Sequence, residues 1–296
     1  MKAGFVGLVG LPNAGKSTLV NALVGERVGI VTKKPQTTRR RALGILNADD
    51  LQAVLVDAPG MVKAESGLNH FLEQELESVI SESDVLLAVL NIDQESPDDL
   101  VTLVEKVAAA GKPWAMVATK ADLPVNHRIP ILRDRLQAYN VPWISGSAET
   151  APEALREQIV AELKNLLPES QAPLYDPELY TTQTVRELVS EVIREKCFVH
   201  LHQEVPYGLA VSIKKFSEDE GPVVKIYADL VLAKENHKGI LLGTGGAKIR
   251  EIGTEARKEI ETIMGRKVFL ELYVVVKRNW YMQENFMREF GYVLPE

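Results

Sequence analysis

The sequence predicts two domains in one chain: an α/β domain on a mixed, mainly parallel sheet with helices on both faces, then a smaller α+β domain. Three observations carry this. In the first half, short apolar runs ("GFVGLVG", "LQAVLVD", "DVLLAVLNI", "PWAMVAT", "VPWIS") alternate with helical patterns over 100–110 and 152–166, as strands joined by helical crossovers do. Between 167 and 182, "LPESQAPLYDPELYTT" has three prolines and no apolar period, so it reads as an extended linker. Beyond it the order becomes helix, two alternating strands, helix, glycine loop, helix, strand. The domains are placed at 1–166 and 183–296, the second with a C-terminal helix or tail, and the linker at 167–182. No internal repeat or low-complexity tract is visible.

The 296 residues, 46% hydrophobic and 25% charged, suffice for two buried cores. No apolar stretch approaches the roughly 20 residues that span a bilayer. The start "MKAGFVGLVG" runs into a glycine-rich loop instead of a cleavage site, so a cytoplasmic location is expected. Cys197 is the single cysteine and the five histidines lack metal-site spacing, which excludes an intrachain disulfide and argues against a built-in metal cage. His200 and His202, in "CFVHLHQ", are expected on a solvated strand or loop face. The net charge of −7 excludes coating of nucleic acid by bulk positive charge. The charge is uneven, however: residues 180–296 hold 17 Lys plus Arg against 17 Asp plus Glu, and residues 1–179 hold 17 against 24. Nucleic-acid contact would need a local basic surface, for which "KKPQTTRRR" is one candidate.

The first apolar run leads into "GLPNAGKST", and a helical pattern follows. In this context Gly10, Leu11, Pro12, Asn13, Ala14, Gly15, Lys16, Ser17 and Thr18 form a phosphate-binding loop, whose backbone N–H groups and helix N-terminus face a phosphate. Lys16 is expected to bridge β- and γ-phosphate oxygens and Ser17 to hold Mg²⁺. The strand "LQAVLVD" ends at Asp57, placed to hold a water of the Mg²⁺ shell, and the N–H of Gly60 in "DAPG" is placed to meet the γ-phosphate. A further strand ends in Thr119, Lys120 and Asp122. The Asp122 carboxylate can accept from both N1–H and the 2-amino group of guanine, a double contact that adenine cannot make. In "ISGSAET", Ser147 and Ala148 follow another strand, and the Ala148 N–H can meet guanine O6.

"GLPNAGKS", "QTTR", "DAPG", "TKAD" and "SA" stand in the order and spacing that resembles the translation-factor-related G domains. This implies a P-loop GTPase domain that takes GTP or GDP with Mg²⁺ and turns GTP into GDP and phosphate. Thr119 departs from the usual asparagine that ties the phosphate loop to the base site, and weaker nucleotide affinity with unchanged specificity is expected. Where small signalling GTPases carry a water-orienting glutamine, this chain has Met61, which cannot orient water. Asn13 and the Thr37–Thr38 doublet resemble those of GTPases that bind a monovalent cation, usually K⁺. Slow hydrolysis stimulated by K⁺ is expected, with Lys16, Asn13, Thr38, Asp57 and Gly60 as the catalytic set. Thr38 is the first choice for the Mg²⁺ ligand that joins with GTP, beside Ser17 and Asp57; Thr37 is second.

In the second domain the element order resembles a type II KH domain, with Gly243, Thr244, Gly245 and Gly246 as its GxxG loop. Such a loop lets a nucleotide backbone approach two helix N-termini, and an apolar groove around Ile240, Leu241 and Ile249 is expected to accept splayed bases. Thr244 stands where similar domains often carry lysine. Lys238, Lys248 and Arg250 are nearby replacements, so a modestly lower affinity and a shallower salt dependence are expected.

The pairing of the two domains, with "QTTRRR", "KGILLGTGGAKIREIGTEARKEIE" and "GRKVFLELYVVVKRNW", closely resembles the Era family of bacterial ribosome-assembly GTPases over essentially the whole chain. The resemblance implies that the KH domain grips the 3′ end of 16S ribosomal RNA in the GTP form. It also implies that hydrolysis releases the protein from a maturing 30S subunit. Some members associate peripherally with the inner membrane, but nothing in this sequence supplies an anchor; a monomer is expected. The alternative is a switch in cell-cycle control whose KH-like domain docks a protein or membrane partner. An RNA-modifying activity lacks a nucleophilic cysteine or cofactor motif.

Overall fold

A computed structural model describes residues 1–32, 34–61, 67–91, 96–123, 128–218 and 221–292. The chain folds as two compact units, Met1–Ala64 with Leu72–Thr182 and Glu65–Phe71 with Gln183–Glu296.

The first unit contains β1 (Lys2–Gly10), α1 (Lys16–Val24), β2 (Ala42–Ala48), β3 (Leu51–Asp57), most of α2 (Gly67–Glu82), β4 (Val85–Asn91), α3 (Pro97–Ala109), β5 (Trp114–Thr119), α4 (Arg128–Leu136), β6 (Trp143–Ser145) and α5 (Pro152–Leu166). Its sheet runs β2-β3-β1-β4-β5-β6. Every pairing is parallel except β2 with β3, which makes the sheet mixed. Strands buried on both faces read as unbroken apolar runs, and β4 is buried along its whole length. Val85, Leu87 and Val89 join one core with α1 and α5, while Leu86, Ala88 and Leu90 join the other with α2 and α3. The apolar runs of the sequence located five of these strands. The antiparallel β2 and the helices α2 and α4 were not singled out.

The segment 167–182, expected as an extended linker, lies against the first unit. It holds two isolated bridges, Lys2 with Glu169 and Gly44 with Thr181. The Gln52 amide serves it from β3: Nε2 donates to Tyr175 O at 2.9 Å, and Oε1 accepts from Leu174 N–H at 2.7 Å and Tyr175 N–H at 2.9 Å. From β2, Ile45 N–H donates to Tyr180 O at 2.8 Å. An edge strand leaves unpaired backbone groups, and this segment occupies some of those on β2. The first unit therefore extends past 166 to Thr182.

The second unit contains α6 (Val185–His200), β7 (Leu209–Ser217), β8 (Val223–Leu232), α7 (His237–Leu242), α8 (Ala247–Met264), β9 (Lys267–Val276) and α9 (Glu284–Glu289). β7 pairs antiparallel with β8 and β8 parallel with β9. The hairpin tip at 219–220 lies outside the described residues. Inward residues of the three strands, among them Leu209, Ile226, Leu230 and Val268, pack under Val189, Ile193 and Cys197 of α6 and Ile252, Ala256 and Ile260 of α8. Burial pushes the Cys197 thiol up to about 12, so it is an inert core residue. A capping box starts α6: the Thr184 hydroxyl accepts from Glu187 N–H at 3.3 Å and Thr184 N–H donates to Glu187 Oε2 at 2.8 Å. His200 ends this helix, which corrects the strand-or-loop expectation for it; the helical register continues through "CFVH", and His202 beyond it is exposed. No helix among the described residues is long and apolar enough to cross a membrane.

Ile226 is fully buried, so Ile226→Ala should cost the second unit about 2–5 kcal/mol and Thr184→Ala about 1 kcal/mol. A urea titration should show both as lower midpoints in that order. Equal midpoints for wild type and Ile226→Ala would contradict the packing.

Candidate functional site

At the C-terminal edge of the first sheet, β1 ends at Gly10 and the chain turns into α1 with left-handed backbone at Asn13 (φ 66) and Gly15 (φ 90). Side chains and backbone from neighbouring strand ends hold the carbonyls of this loop. Met61 N–H donates to Gly10 O at 3.1 Å. Asn91 Nδ2, at the end of β4, and Lys120 Nζ each donate to Asn13 O at 3.2 Å. The Thr119 hydroxyl donates to Ala14 O at 2.7 Å, with Leu90 O at 3.2 Å. This hydroxyl thus ties the phosphate loop to the end of β5, with Asn91, its register partner, beside it. Carbonyls engaged in this way turn the opposing N–H groups outward as an anion cradle. Lys16 is 6% exposed, and its ammonium donates to Gly10 O at 3.0 Å and Leu11 O at 3.1 Å. A phosphate oxygen here would offer a charged acceptor, a stronger partner than a neutral carbonyl.

Three oxygens converge next to it. Ser17 Oγ donates to Asp57 Oδ2 at 2.6 Å and lies 2.9 Å from Thr38 Oγ1, and the Thr38 hydroxyl reaches Asp57 Oδ2 at 3.3 Å. Asp57 is fully buried. Two hydroxyls and a carboxylate are the hard oxygen donors that Mg²⁺ takes, with water completing its shell. Thr37 is turned elsewhere: its hydroxyl donates to Lys34 O at 2.9 Å. Partial burial lowers the Lys34 ammonium from its ordinary value. Asn21, which sequence reasoning missed, fastens the start of this loop. Its Nδ2 donates to Gly29 O and its Oδ1 accepts from Val28 and Gly29 N–H, each at 2.9 Å. A polar residue inside the apolar helix "STLVNALVG" was the available signal.

Gly60 passes close over the loop: a Cβ there would stand 2.8 Å from Pro12 Cα and N. Met61 packs its side chain against the apolar core around Val9 and Leu76. A cavity of about 600 Å³, a volume suited to a nucleotide, is lined by Pro12 to Thr18, Thr37, Thr38, Gly60 and Lys120. Ile30, Val31, Gln36, Leu123 and Glu149 also line it and were not foreseen. Gly10 and Leu11 contribute the carbonyls named above. Asp122, Ser147 and Ala148 are not in the cavity wall. Asp122 is exposed, and the buried Ser147 hydroxyl accepts from Glu149 N–H at 3.3 Å and Thr150 N–H at 3.1 Å.

In the second unit, the turn between α7 and α8 has positive φ at Gly243 (68), Gly245 (59) and Gly246 (76). A Cβ on Gly243 would lie 2.7 Å from Lys248 Cβ, whereas Cβ atoms on Gly245 and Gly246 would meet nothing within 4 Å. The outer face of this turn, with Thr244 exposed, is open to a close-approaching backbone. Arg250 folds onto it, Nη2 donating to Gly245 O at 2.6 Å and Nε to Gly246 O at 3.1 Å. Lys238 is exposed and Lys248 pairs with Glu251 at 3.3 Å. Leu241 is fully buried in the core, which corrects its expected place in a base-accepting groove: on a six-residue helix it points at the sheet, and Ile240 beside it is 53% exposed. The groove itself, about 300 Å³, runs between α8 and β9. Ile249, Arg250, Gly253, Thr254, Arg257, Leu270 and Leu272 line it. Of these, Gly253, Thr254, Arg257 and the two β9 residues were not singled out. Glu251 and Glu255 bracket His200, with Nε2 2.8 Å from Glu255 Oε2 and Nδ1 3.5 Å from Glu251 Oε2.

The family described as 50S ribosome-binding GTPase matches residues 5–120, and the KH domain family matches residues 204–281. The chain is 38% identical over 299 residues to the GTPase Era of Syntrophus aciditrophicus, covering 98% of this chain and 95% of the relative. Two solved structures superpose along its length. Era of Aquifex aeolicus, as a single-residue variant bound to GDP and AlF4−, is 33% identical with a TM-score of 0.91, covering 99% of this chain and 100% of that one. Era in complex with MgGDPNP and nucleotides 1506–1542 of 16S ribosomal RNA is 32% identical with a TM-score of 0.92 at the same coverage.

Removing the Thr119 hydroxyl while keeping its shape leaves Ala14 O without its 2.7 Å donor. Thr119→Val should therefore weaken GDP binding by roughly 2- to 10-fold, measured with a fluorescent nucleotide. An unchanged affinity would mean that Asn91 and Lys120 hold the loop without it.

Proposed function

The chain belongs to the Era family of GTPases, and on that premise we propose that it is a nucleotide-controlled RNA-binding switch in small-subunit assembly, gripping the 3′ end of 16S ribosomal RNA. The observation that carries the switch is the meeting of Ser17, Thr38 and Asp57 within 3.3 Å, which joins the phosphate loop, the threonine loop and the end of β3. Lys16 and the loop N–H groups bind the β- and γ-phosphates. Ser17, Thr38 and Asp57 would hold Mg²⁺, which when bound would neutralise charge at the phosphates. Thr38 can hold this position only while its loop is closed, so loss of the γ-phosphate releases the loop. Gly60 N–H, held near Pro12 by the absence of a Cβ, senses the same phosphate. Asp122 reads guanine when the base enters beside Lys120, with Ser147 and Ala148 closing the far side.

Met61 is committed to apolar packing, and hydrolysis relies on charge stabilisation instead of a water-orienting side chain at that position. Asn13 and the threonine loop would hold a monovalent cation beside the phosphates. GTP turnover should be slow in NaCl and faster in matched KCl; equal rates would remove the cation from this scheme.

In the second unit, the open GTGG turn accepts an RNA backbone, Lys238, Lys248 and Arg250 supply positive charge, and the groove between α8 and β9 accepts bases. The GTP form binds the RNA and hydrolysis releases it, with the protein acting as a cytoplasmic monomer on the 30S subunit. Gly245→Asp tests the division of labour. A Cβ there meets nothing within 4 Å and aspartate tolerates left-handed backbone, so the fold should survive while its carboxylate repels phosphate. The variant should hydrolyse GTP at the wild-type rate and lose RNA. Crosslinking and sequencing of RNA held with a GTP analogue, with GDP and without nucleotide should enrich the 16S 3′ end in the first sample alone. RNA scattered equally over all three would favour a protein-docking role.

A further inference from the structure

The loop that carries Thr38 leaves the first unit beside Ser17 and Asp57, and a side chain outside the nucleotide site holds its point of departure. Asn21 sits on α1 one turn beyond Ser17 and is half-buried. It makes three hydrogen bonds of 2.9 Å: Oδ1 accepts from Val28 N–H and Gly29 N–H, and Nδ2 donates to Gly29 O. An amide carries an acceptor and a donor at its tip, so it can grip a stretch of backbone by both N–H and C=O. Asn21 uses both on Gly29. The flanking Val28 and Ile30 are 2% and 3% exposed, whereas Val31 is 41% exposed. The anchored stretch therefore ends at Ile30, and the loop proper begins at Val31.

Gly29 itself lies against the groups that Thr38 meets: a Cβ there would stand 3.2 Å from Asp57 Oδ2 and 3.2 Å from Ser17 Cβ. Seven residues separate Ile30 from Thr38, whose hydroxyl then returns to Ser17 Oγ at 2.9 Å and Asp57 Oδ2 at 3.3 Å. A loop with one end pinned beside its target closes at a smaller entropic cost than one whose departure point wanders. We infer that Asn21 is a positioning residue for GTP hydrolysis: by clamping Val28 and Gly29 beside Asp57, it sets the arc on which Thr38 closes. This rests on the reading above in which Thr38 joins the Mg²⁺ site in the GTP form. Asn21 is not in the wall of the nucleotide cavity, and GDP does not call on Thr38, so GDP should bind without the clamp.

Two substitutions remove it: Asn21→Ala, and Asn21→Leu, which fills a similar volume without hydrogen-bonding groups. Each should lower the single-turnover rate of GTP hydrolysis by the full chain roughly 10- to 100-fold and raise the Mg²⁺ concentration needed for half the maximal rate. GDP affinity, read with a fluorescent nucleotide, should match wild type, while the Val28 and Gly29 amides of the GDP form should exchange hydrogen faster. Because the effect runs through Thr38, adding Asn21→Ala to Thr38→Ala should slow turnover no further. Wild-type turnover in both Asn21 variants overturns the inference. So does an equal loss of rate and GDP affinity, which marks a general loosening of the phosphate loop. Recovery in Asn21→Leu alone assigns the effect to packing, and a full extra loss in the double variant places the action of Asn21 elsewhere; either result removes the clamp. If Thr38→Ala by itself turns over GTP at the wild-type rate, the reading of Thr38 fails and the inference falls with it.

Discussion

The nucleotide site depends on parallel strand register. β1 lies between β3 and β4 with Leu8 beside Asp57 and Gly10 beside Val89, and β4 places Asn91 beside Thr119 on β5. Four strands therefore deliver their C-terminal ends to one edge of the sheet, where a parallel α/β fold binds ligands. A shift of one residue in the pairings of β4 would exchange its two apolar faces between the two cores and move its strand end by one position. The burial that stabilises the sheet and the geometry that holds a phosphate are thus the same constraint.

That arrangement explains how the loop tolerates Thr119 in place of asparagine. A hydroxyl is shorter than an amide and carries one proton, so it can make one strong bond, and it makes that bond to Ala14 O. The neighbouring strand supplies an amide at Asn91, which reaches Asn13 O. Two adjacent strand ends together perform a task that a longer side chain could perform alone. The Ser17–Thr38–Asp57 corner follows the same logic. Each residue comes from a different segment, and the buried Asp57 carboxylate takes its hydrogen bonds from the two hydroxyls.

The second unit solves a different problem. α6 and α8 cover one face of a three-stranded sheet, and strand alternation gives each residue of β9 to one side or the other. Leu270 and Leu272 serve the groove; Phe269 and Tyr273 face away. The glycine turn between α7 and α8 keeps its outer surface bare because positive φ, more than crowding, selects glycine at Gly245 and Gly246.

Much of this was legible in the residues because the chemistry is local. The phosphate loop, Asp57, Gly60 and the GTGG turn each require particular residue types within a few positions, and apolar runs buried on both faces announce themselves. Thr38 could be preferred over Thr37 in sequence, but only the folded chain separates the two, by sending one hydroxyl to Lys34 O and the other to Ser17 and Asp57. The course of 167–182 along β2, the burial of Leu241, the end of α6 at His200 and the roles of Asn21 and Asn91 were decided by tertiary structure. Each depends on partners distant in sequence: an edge strand needing backbone bonds, a sheet beneath a short helix, a loop carbonyl needing a donor. Composition and spacing determine which groups the chain owns, and packing decides which of them meet, because a hydrogen bond or a buried contact is a property of two places in the chain at once.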